Sequence, residues 1–501
     1  MPPIITWTQP ARATLALYAL LATLAFSFQG SRPIWEPDEG RYVAVALQML
    51  ESGDWWTLRI HPEQRHLTKP PLAYWLIASS MAVFGRNEWA LRLPYALAFL
   101  LSGLVVLDIA RSLRLANPHV AAAVWATSLG PFAAANLVTA DMILAALVTS
   151  AVAAALHAGL LEARPLARGW LIAMWLAFGL GFLTKGPPAL LPLAALLAYR
   201  AWRRLALTPL FHPAGVTLFI VTGLTWFVSM VAQDPALLRY FVGYELIDRI
   251  GSGVHDRNAS WRAVITVYGP AMLGGALPWS PLLLWHADPD ATRRVSPPVV
   301  LLWLWLAIPL AVFALVRSRM PIYVLPLFVP IALLAAPRIG RLWERHPRGL
   351  AAAAGIWVLG LLALKAAAAY LPATRDARAE AATFRPAIEA MSRSPDEIVF
   401  VGTRARYGLR FYLGLPIEQV DLHTEVRPDS AFLDRKAVCA EARAPENPLW
   451  VVARENVPAF RSAIEACGFR TRQLASAGRW QPFEIDAVRV SRSPAPAARL
   501  R

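Results

Sequence analysis

Trp35-Glu36-Pro37-Asp38-Glu39-Gly40-Arg41-Tyr42 follows the first apolar run of the chain, where a polypeptide leaving a bilayer re-enters water. The stretch sets three carboxylates, an arginine and a tyrosine within a few residues of a membrane surface. Acidic side chains at such a depth are costly and usually serve a purpose. A solvated first loop with ordinary acids is the competing reading of this stretch alone. The rest of the chain weighs between the two.

Hydrophobic residues are 57% of the chain and charged residues 16%, with a mean hydropathy of +0.43. A soluble domain carries about 25% charge, so this is an integral membrane protein with many spans. The net charge is +16. In a soluble protein that would point to nucleic acid. Here much of it is the Lys/Arg excess expected of cytoplasmic loops, and no nucleic-acid module or aromatic-interleaved basic patch is evident. Cys439 and Cys467 match no metal-ligand spacing and leave a disulfide open. Arg12 precedes an apolar run as in a signal peptide, but no small-residue cleavage site follows, which predicts an uncleaved first span.

Outward from the opening stretch, spans are predicted over 11–29, 91–110, 118–135, 141–161, 169–184, 187–202, 213–232, 264–285, 297–316, 321–337 and 349–371. The run 72–84 has about 13 residues and fits a re-entrant or interfacial segment better than a crossing, which needs about 20. Charge parity supports this count. Arg111 and Arg114, Arg164 and Arg168, Arg200, Arg203 and Arg204, Arg293 and Arg294, and Arg338, Arg341, Arg345 and Arg348 all fall on one side. The positive-inside rule makes that side cytoplasmic. The N-terminus is then inside, and the loops at 30–90, 136–140, 185–186, 233–263 and 317–320 and the C-terminus are outside. The same sorting gathers Asp38, Glu39, Lys69, Asp141, Lys185, Glu245, Arg249, His255 and Arg319 on the outer side.

From about Arg375 the composition becomes that of a soluble domain. Residues 397–401, 409–413 and 449–452 are predicted as short buried strands, and 457–467 as a helix ended by Gly468. This makes a small α/β domain over 373–492. The tail 493–501, rich in Pro, Ala and Arg, is expected to be disordered.

Several residues can carry chemistry. A carboxylate at the membrane surface, such as Asp38 or Glu39, acts as a general base where an acceptor hydroxyl or amine reaches it. Glu36, beside Pro37, has a structural reading. Lys69, held by Pro70 and Pro71, suits an anionic head group or simply snorkels. Asp141 opens a span, where it either complements the helix dipole or divides base and orienting roles with Asp38. Lys185 lies in the near-absent loop between two spans. At the N-terminus of the second span its charge is disfavoured unless an anion partners it. The loop 239–255 is read as an amphipathic surface helix. Arg319 sets a cation at the outer mouth of a further span. No P-loop, GxGxxG, HExxH or CxxC motif stands out, so ATP-driven or nicotinamide chemistry is unsupported. Cations and carboxylates beside lipid suit a phosphate-bearing lipid substrate.

These pieces resemble the aminoarabinose transferase branch of the dolichyl-phosphate-mannose–protein mannosyltransferase superfamily. The resemblance is carried by EPDEGRYVAVALQMLESGDWW, HLTKPPLAYWL, FGRNEWALRLP, ADMIL, FLTKGPPALLP, RYFVGYELIDRI followed by His255, LPWSP and SRMPIYVLP, in family order from Trp35 to Pro326. It implies a mainly α, polytopic GT-C fold of about 11–13 spans with a small extracytoplasmic α/β domain. Residues 1–372 form the glycosyltransferase domain, with outer loops 30–90 and 233–263.

The resemblance further implies a polyprenyl-phosphate-linked sugar as donor and an acceptor outside the cytoplasm: a lipid A-like glycolipid, a protein or a cell-wall glycan. Asp38 falls on the family's base or acceptor-positioning carboxylate, with Glu39 beside it, and Asp141 on its second active-site acid. Lys69, Lys185, Arg249 and Tyr323 fall on or near positions that handle the lipid phosphate, with Arg41, Arg257 and Arg262 as further candidates. Tyr42, Glu245, His255 and Arg319 are outer-face candidates. In the family an acid before the KPP lysine can share a metal with a loop histidine. Here that position is Thr68, which puts a divalent metal at His255 in doubt and weakens the assignment to lipid A.

The expected reaction is attack of the acceptor on the anomeric carbon with departure of polyprenyl phosphate and inversion. It needs no cofactor, because side-chain cations neutralise a monophosphate. The expected location is the inner membrane, with the site on the periplasmic side. Two rivals remain at this point. A lipid or sugar-lipid transporter would use the same cations, although no paired broken-helix halves are seen. A non-catalytic membrane subunit would tolerate loss of Asp38 and Lys69.

Overall fold

The structure, a computed structural model, describes residues 9–163, 165–247, 258–285, 296–371, 373–422 and 436–487. The chain divides into two compact units. The first runs through Pro33, Met49–Leu58 and Leu67–Ala373; the second takes Ile34–Gln48, Arg59–His66 and the chain from Thr374.

The first unit is helical wherever apolar runs predict a span. Six helices among the described residues are long and apolar enough to cross a membrane: Glu88–Ser112, Ala140–His157, Pro213–Gln233, Pro297–Leu315, Pro321–Arg345 and Pro347–Tyr370. The other expected spans are shorter or broken. The run 118–135 is interrupted at Ser128, whose backbone is extended between helices Pro118–Thr127 and Leu129–Ala135. Pro187 and Pro188 make 187–202 begin as a 3-10 turn before helix Leu191–Trp202, because proline withholds the amide that an α-helix needs. The expected span 264–285 is three short pieces. Residues Leu72–Phe84 form a 13-residue helix, about 20 Å long at 1.5 Å per residue, short of a hydrocarbon core.

Helix Ala140–His157 is the most enclosed of these six. Its alanines let neighbours approach closely, as small residues do where lipid gives no hydrophobic drive. Helices Arg168–Lys185 and Pro213–Gln233 meet the same way: a Cβ on Gly179 would fall 2.1 Å from Thr222 Oγ1. By contrast Ile356, Leu359 and Val83 are more than half exposed, a surface suited to lipid and not to water. Asn117 Nδ2 donates to Glu344 Oε1 at 3.3 Å, and an Arg200 guanidinium N–H donates to Leu160 O at 3.3 Å. The segments that carry Arg111 and Arg341, and those that carry Arg168 and Arg200, therefore meet pairwise, as the charge parity requires. Arg164, Arg293 and Arg294 lie outside the described residues.

In the second unit, strands β1 (Arg59–His61) and β2 (Gln64–Arg65) form a hairpin. A five-stranded sheet follows from β3 (Glu397–Val401), β4 (Ile417–Val420), β5 (Pro448–Ala453), β6 (Phe469–Gln473) and β7 (Trp480–Ala487). Its order is β4-β3-β5-β7-β6. The β4-β3-β5 core is parallel and β5-β7-β6 antiparallel. The central strands read EIVFV and PLWVVA and are buried throughout, as parallel strands covered on both faces are. Helix Val457–Ala466 packs Phe460 and Ile464 on Val399, Trp450 and Phe483. Cys439 and Cys467 form a disulfide beside that core.

Two expectations are corrected here. Leu409–Leu413 is a short helix, not a strand. Five apolar residues carry no decisive period, and Gly414 at φ +73° ends the helix in the left-handed region. The first-loop segments 34–48 and 59–66 belong to the unit with the sheet, whereas the sequence reading assigned all of 30–90 to the membrane part. Residues 493–501 lie outside the described residues.

Candidate functional site

A cavity of about 550 Å³ opens within the helical unit. Its walls are apolar, with Leu144, Val148, Phe182, Phe227, Phe241 and Trp305 among them, and Lys69, Lys185, Glu245 and Tyr323, beside Thr68, are in its polar lining. Each of these four was picked out from sequence, and the fold brings them to one space.

The Lys69–Pro70–Pro71 segment leads into helix Leu72–Phe84, and the Lys69 ammonium donates to Thr68 O at 2.9 Å. Lys185 is the last residue of helix Arg168–Lys185. This corrects the expected placement at a helix N-terminus: a C-terminal cation complements the helix dipole. Gly186, at φ +76°, then turns the chain at once into Pro187. The Lys185 ammonium pairs with the Asp141 carboxylate and sits 4.3 Å from the Tyr323 ring centroid. Asp141 lies in the first turn of helix Ala140–His157, where Thr139 Oγ1 accepts from its amide at 3.5 Å. Thr139 caps this helix, and Asp141 in its first turn holds the Lys185 ammonium, which lines the cavity. Tyr240 and Tyr244 stack at 5.7 Å, and Tyr240 Oη donates to Glu245 Oε1 at 3.4 Å. Residues Arg239–Ile247 form a π-helix.

Other candidates do different work. Arg319 is buried and its guanidinium donates to the carbonyls of Ala314, Asn258, Ala259 and Ser260 at 2.7–3.0 Å. It therefore ties the segment 258–260 to the end of a span. Arg262 is exposed. Arg249, His255 and Arg257 lie outside the described residues. Thr68 offers no carboxylate, so the metal position implied by the resemblance lacks its acid, and no step is derived through a metal there.

The opening stretch lies in the second unit. Asp38 begins helix Asp38–Ser52, is exposed, and pairs with Arg41 one turn on. Glu39 is buried and accepts from the Trp35 amide at 2.8 Å, which ties the helix start back to Trp35. Tyr42 is buried as well. Glu36 is structural, as its setting suggested. Its Oε1 accepts from the Gly408 amide, and its burial pushes its pKa from 4.5 up to about 8. Gly40 is needed here because a Cβ would fall 2.5 Å from Gly408 N and 2.6 Å from Glu36 Oε1.

The sequence reading missed a second buried polar cluster around His61, Glu397, Glu418 and Glu441. Burial first, and the neighbouring charge of Glu441 next, push Glu397 up to about 8 and Glu418 up to about 9. Burial, with the Arg410 charge second, lowers His61 to about 4. The signal available was a glutamate at the head of EIVFV and another in IEQV.

Residues 68–228 match the family described as dolichyl-phosphate-mannose-protein mannosyltransferase. The chain is 35% identical over 317 residues to the undecaprenyl phosphate-alpha-4-amino-4-deoxy-L-arabinose arabinosyl transferase of Pseudomonas aeruginosa strain UCBPP-PA14, covering 60% of this chain and 55% of that protein. It is 33% identical over 332 residues to the Edwardsiella ictaluri enzyme of the same name, covering 64% and 58%. The chain thus spans little more than half the length of the curated relatives it matches. Among solved structures, ArnT from Cupriavidus metallidurans bound to undecaprenyl phosphate is similar with a TM-score of 0.74 at 21% identity, over 94% of this chain and 97% of that one. The archaeal oligosaccharyltransferase AglB of Archaeoglobus fulgidus is similar with a TM-score of 0.50 at 12% identity, over 95% and 74%. By sequence the chain is similar to these aminoarabinose transferases and, over residues 68–228, to the dolichyl-phosphate-mannose-protein mannosyltransferase family, and this multi-pass membrane protein has the GT-C type of fold.

Proposed function

We propose that this protein is a membrane glycosyltransferase that moves a sugar from a polyprenyl-phosphate donor to an extracytoplasmic acceptor: a lipid A-like glycolipid, a protein or a cell-wall glycan. The observation that carries this reading is the apolar cavity with Lys69, Lys185 and Tyr323 on its lining. Apolar walls suit an isoprenoid chain, and two ammonium groups suit its phosphate. The relatives whose names specify an undecaprenyl phosphate-linked aminoarabinose support the same donor class.

The acceptor O–H or N–H attacks the anomeric carbon as the bond from that carbon to the phosphate oxygen breaks. Polyprenyl phosphate leaves, and single displacement inverts the configuration. Asp38 orients the nucleophile or takes its proton. Lys69 and Lys185 stabilise the charge that builds on the departing phosphate, which preorganised cations do well away from water. Asp141 holds Lys185 in place for that task. A monophosphate leaving group needs no metal when side-chain cations meet it.

The reacting face and the sheet-bearing unit lie on the periplasmic side of the inner membrane. The distribution of arginines supports this orientation. The Cys439–Cys467 disulfide supports it as well, because such bonds persist in oxidising compartments.

The test is transfer of radiolabelled sugar from a panel of polyprenyl-phosphate sugars in membranes carrying the wild type, Asp38→Asn or Lys69→Ala. Transfer by the wild type that is lost in Asp38→Asn supports the enzyme, and the labelled product identifies the acceptor. Donor flipping across vesicles by all three proteins with no transfer would instead establish a transporter.

A further inference from the structure

Four elements of the second unit bring polar groups to one buried point: β1 supplies His61, β3 Glu397, β4 Glu418, and helix Val438–Glu441 supplies Glu441. These residues are 5%, 4%, 0% and 1% exposed. His61 Nε2 lies 2.7 Å from Glu397 Oε2. One ligand atom from each of His61, Glu397 and Glu418 lies within 4.8 Å of the other two.

The donors beside this cluster do not satisfy it. Gln64 Nε2 donates to Glu418 Oε1 at 2.8 Å. Lys436 Nζ bridges Glu441 Oε2 at 2.7 Å and Glu63 Oε2 at 2.5 Å. Glu418 Oε2 and Glu441 Oε1 remain shut off from solvent with no hydrogen-bond donor among the described residues. A buried acceptor without a donor is costly, more so when it is charged, so these two oxygens point to a missing cationic group. The charges agree. Four carboxyl groups, Glu63, Glu397, Glu418 and Glu441, crowd beside two cations, Lys436 and Arg410, a crowding that a bound cation relieves.

We propose that His61, Glu397 and Glu418, with Glu441 beside them, bind a divalent cation of the zinc or manganese class and so fasten the β1–β2 hairpin to the sheet. An imidazole nitrogen among carboxylate oxygens favours these ions over magnesium and calcium, which take oxygen shells. Ligation through His61 Nε2 replaces its bond to Glu397. The ring proton moves to Nδ1, at the cost of the long 3.4 Å contact from the Glu63 amide. The role is structural, and these ligands are distinct from the Thr68 and His255 positions.

The experiment uses the full chain, purified in detergent without a histidine tag and stripped with EDTA. It is titrated calorimetrically with Zn²⁺, Mn²⁺ and Mg²⁺ alongside Glu418→Gln, His61→Gln and His255→Ala. The expected result is one saturable Zn²⁺ or Mn²⁺ site in the wild type and in His255→Ala, weakened at least about tenfold in the other two. Zn²⁺ raises the melting temperature of the wild type but not of Glu418→Gln. Metal-free Glu418→Gln melts higher than the metal-free wild type, because its amide supplies the missing donor. Should Glu418→Gln fail to fold, His61→Gln gives the same comparison. Absence of a saturable site in the wild type would overturn the proposal, as would binding that survives both cluster variants and is abolished by His255→Ala.

Discussion

Lys185 and Asp141, 44 residues apart in sequence, close an ion pair on the wall of the apolar cavity, with side chains only 11% and 9% exposed. Removing one partner of so enclosed a pair leaves the other charge uncompensated, a loss of about 3–5 kcal/mol. Lys185→Met is therefore expected to lower the melting temperature in detergent and to abolish transfer. Asp141→Asn with Lys185→Met is expected to be markedly more stable than the two separate losses predict. A double-mutant cycle checks this, and additivity would show that the pair is not coupled.

Glu36 predicts a pH dependence. Its folded pKa of about 8 lies above the ordinary 4.5, so between these values the folded protein keeps a proton that the unfolded chain has lost. Stability contributed by this group is fully present below pH 4.5 and falls as pH rises through 8, by up to about 1.4 kcal/mol per pH unit. Melting of the wild type against Glu36→Gln from pH 4 to pH 9 isolates the effect, since the glutamine cannot titrate. Parallel curves would refute it.

Gly40 packs against Gly408 and the Glu36 carboxylate, with no room for a methyl group. Gly40→Ala is expected to cost about 1–3 kcal/mol by overpacking. Its signature is loss of order in the second unit, read by limited proteolysis. A variant as resistant as the wild type would contradict the close approach.

The Cys439–Cys467 bridge spans 28 residues of sequence. Cys439→Ser is expected to destabilise the sheet-bearing unit by about 2–4 kcal/mol, and dithiothreitol should shift the wild-type melt while leaving that of the variant unmoved.

Arg319 is committed to backbone carbonyls. Arg319→Ala is expected to cost at least about 2 kcal/mol through lost charge-assisted bonds. A fall in donor affinity with an unchanged melt would instead assign its guanidinium to the phosphate.

The sequence by itself determined the apolar runs and therefore the helical membrane unit, because an uninterrupted hydrophobic stretch has few stable solutions in lipid. It also determined strands β3 and β5 and helix Val457–Ala466, whose patterns are local. Lys69, Lys185 and Tyr323 were legible as cations and an aromatic at the mouths of spans. Only the tertiary structure decided what these groups meet. Lys185 ends a helix and does not begin one. Arg319 is committed to backbone carbonyls. The loop segments 34–48 and 59–66 pack with residues beyond 374. The reason is the range of the interactions: His61 meets Glu397 across 336 positions and Glu36 meets Gly408 across 372. No periodicity within a window reports a buried polar group whose partner arrives from the far end of the chain.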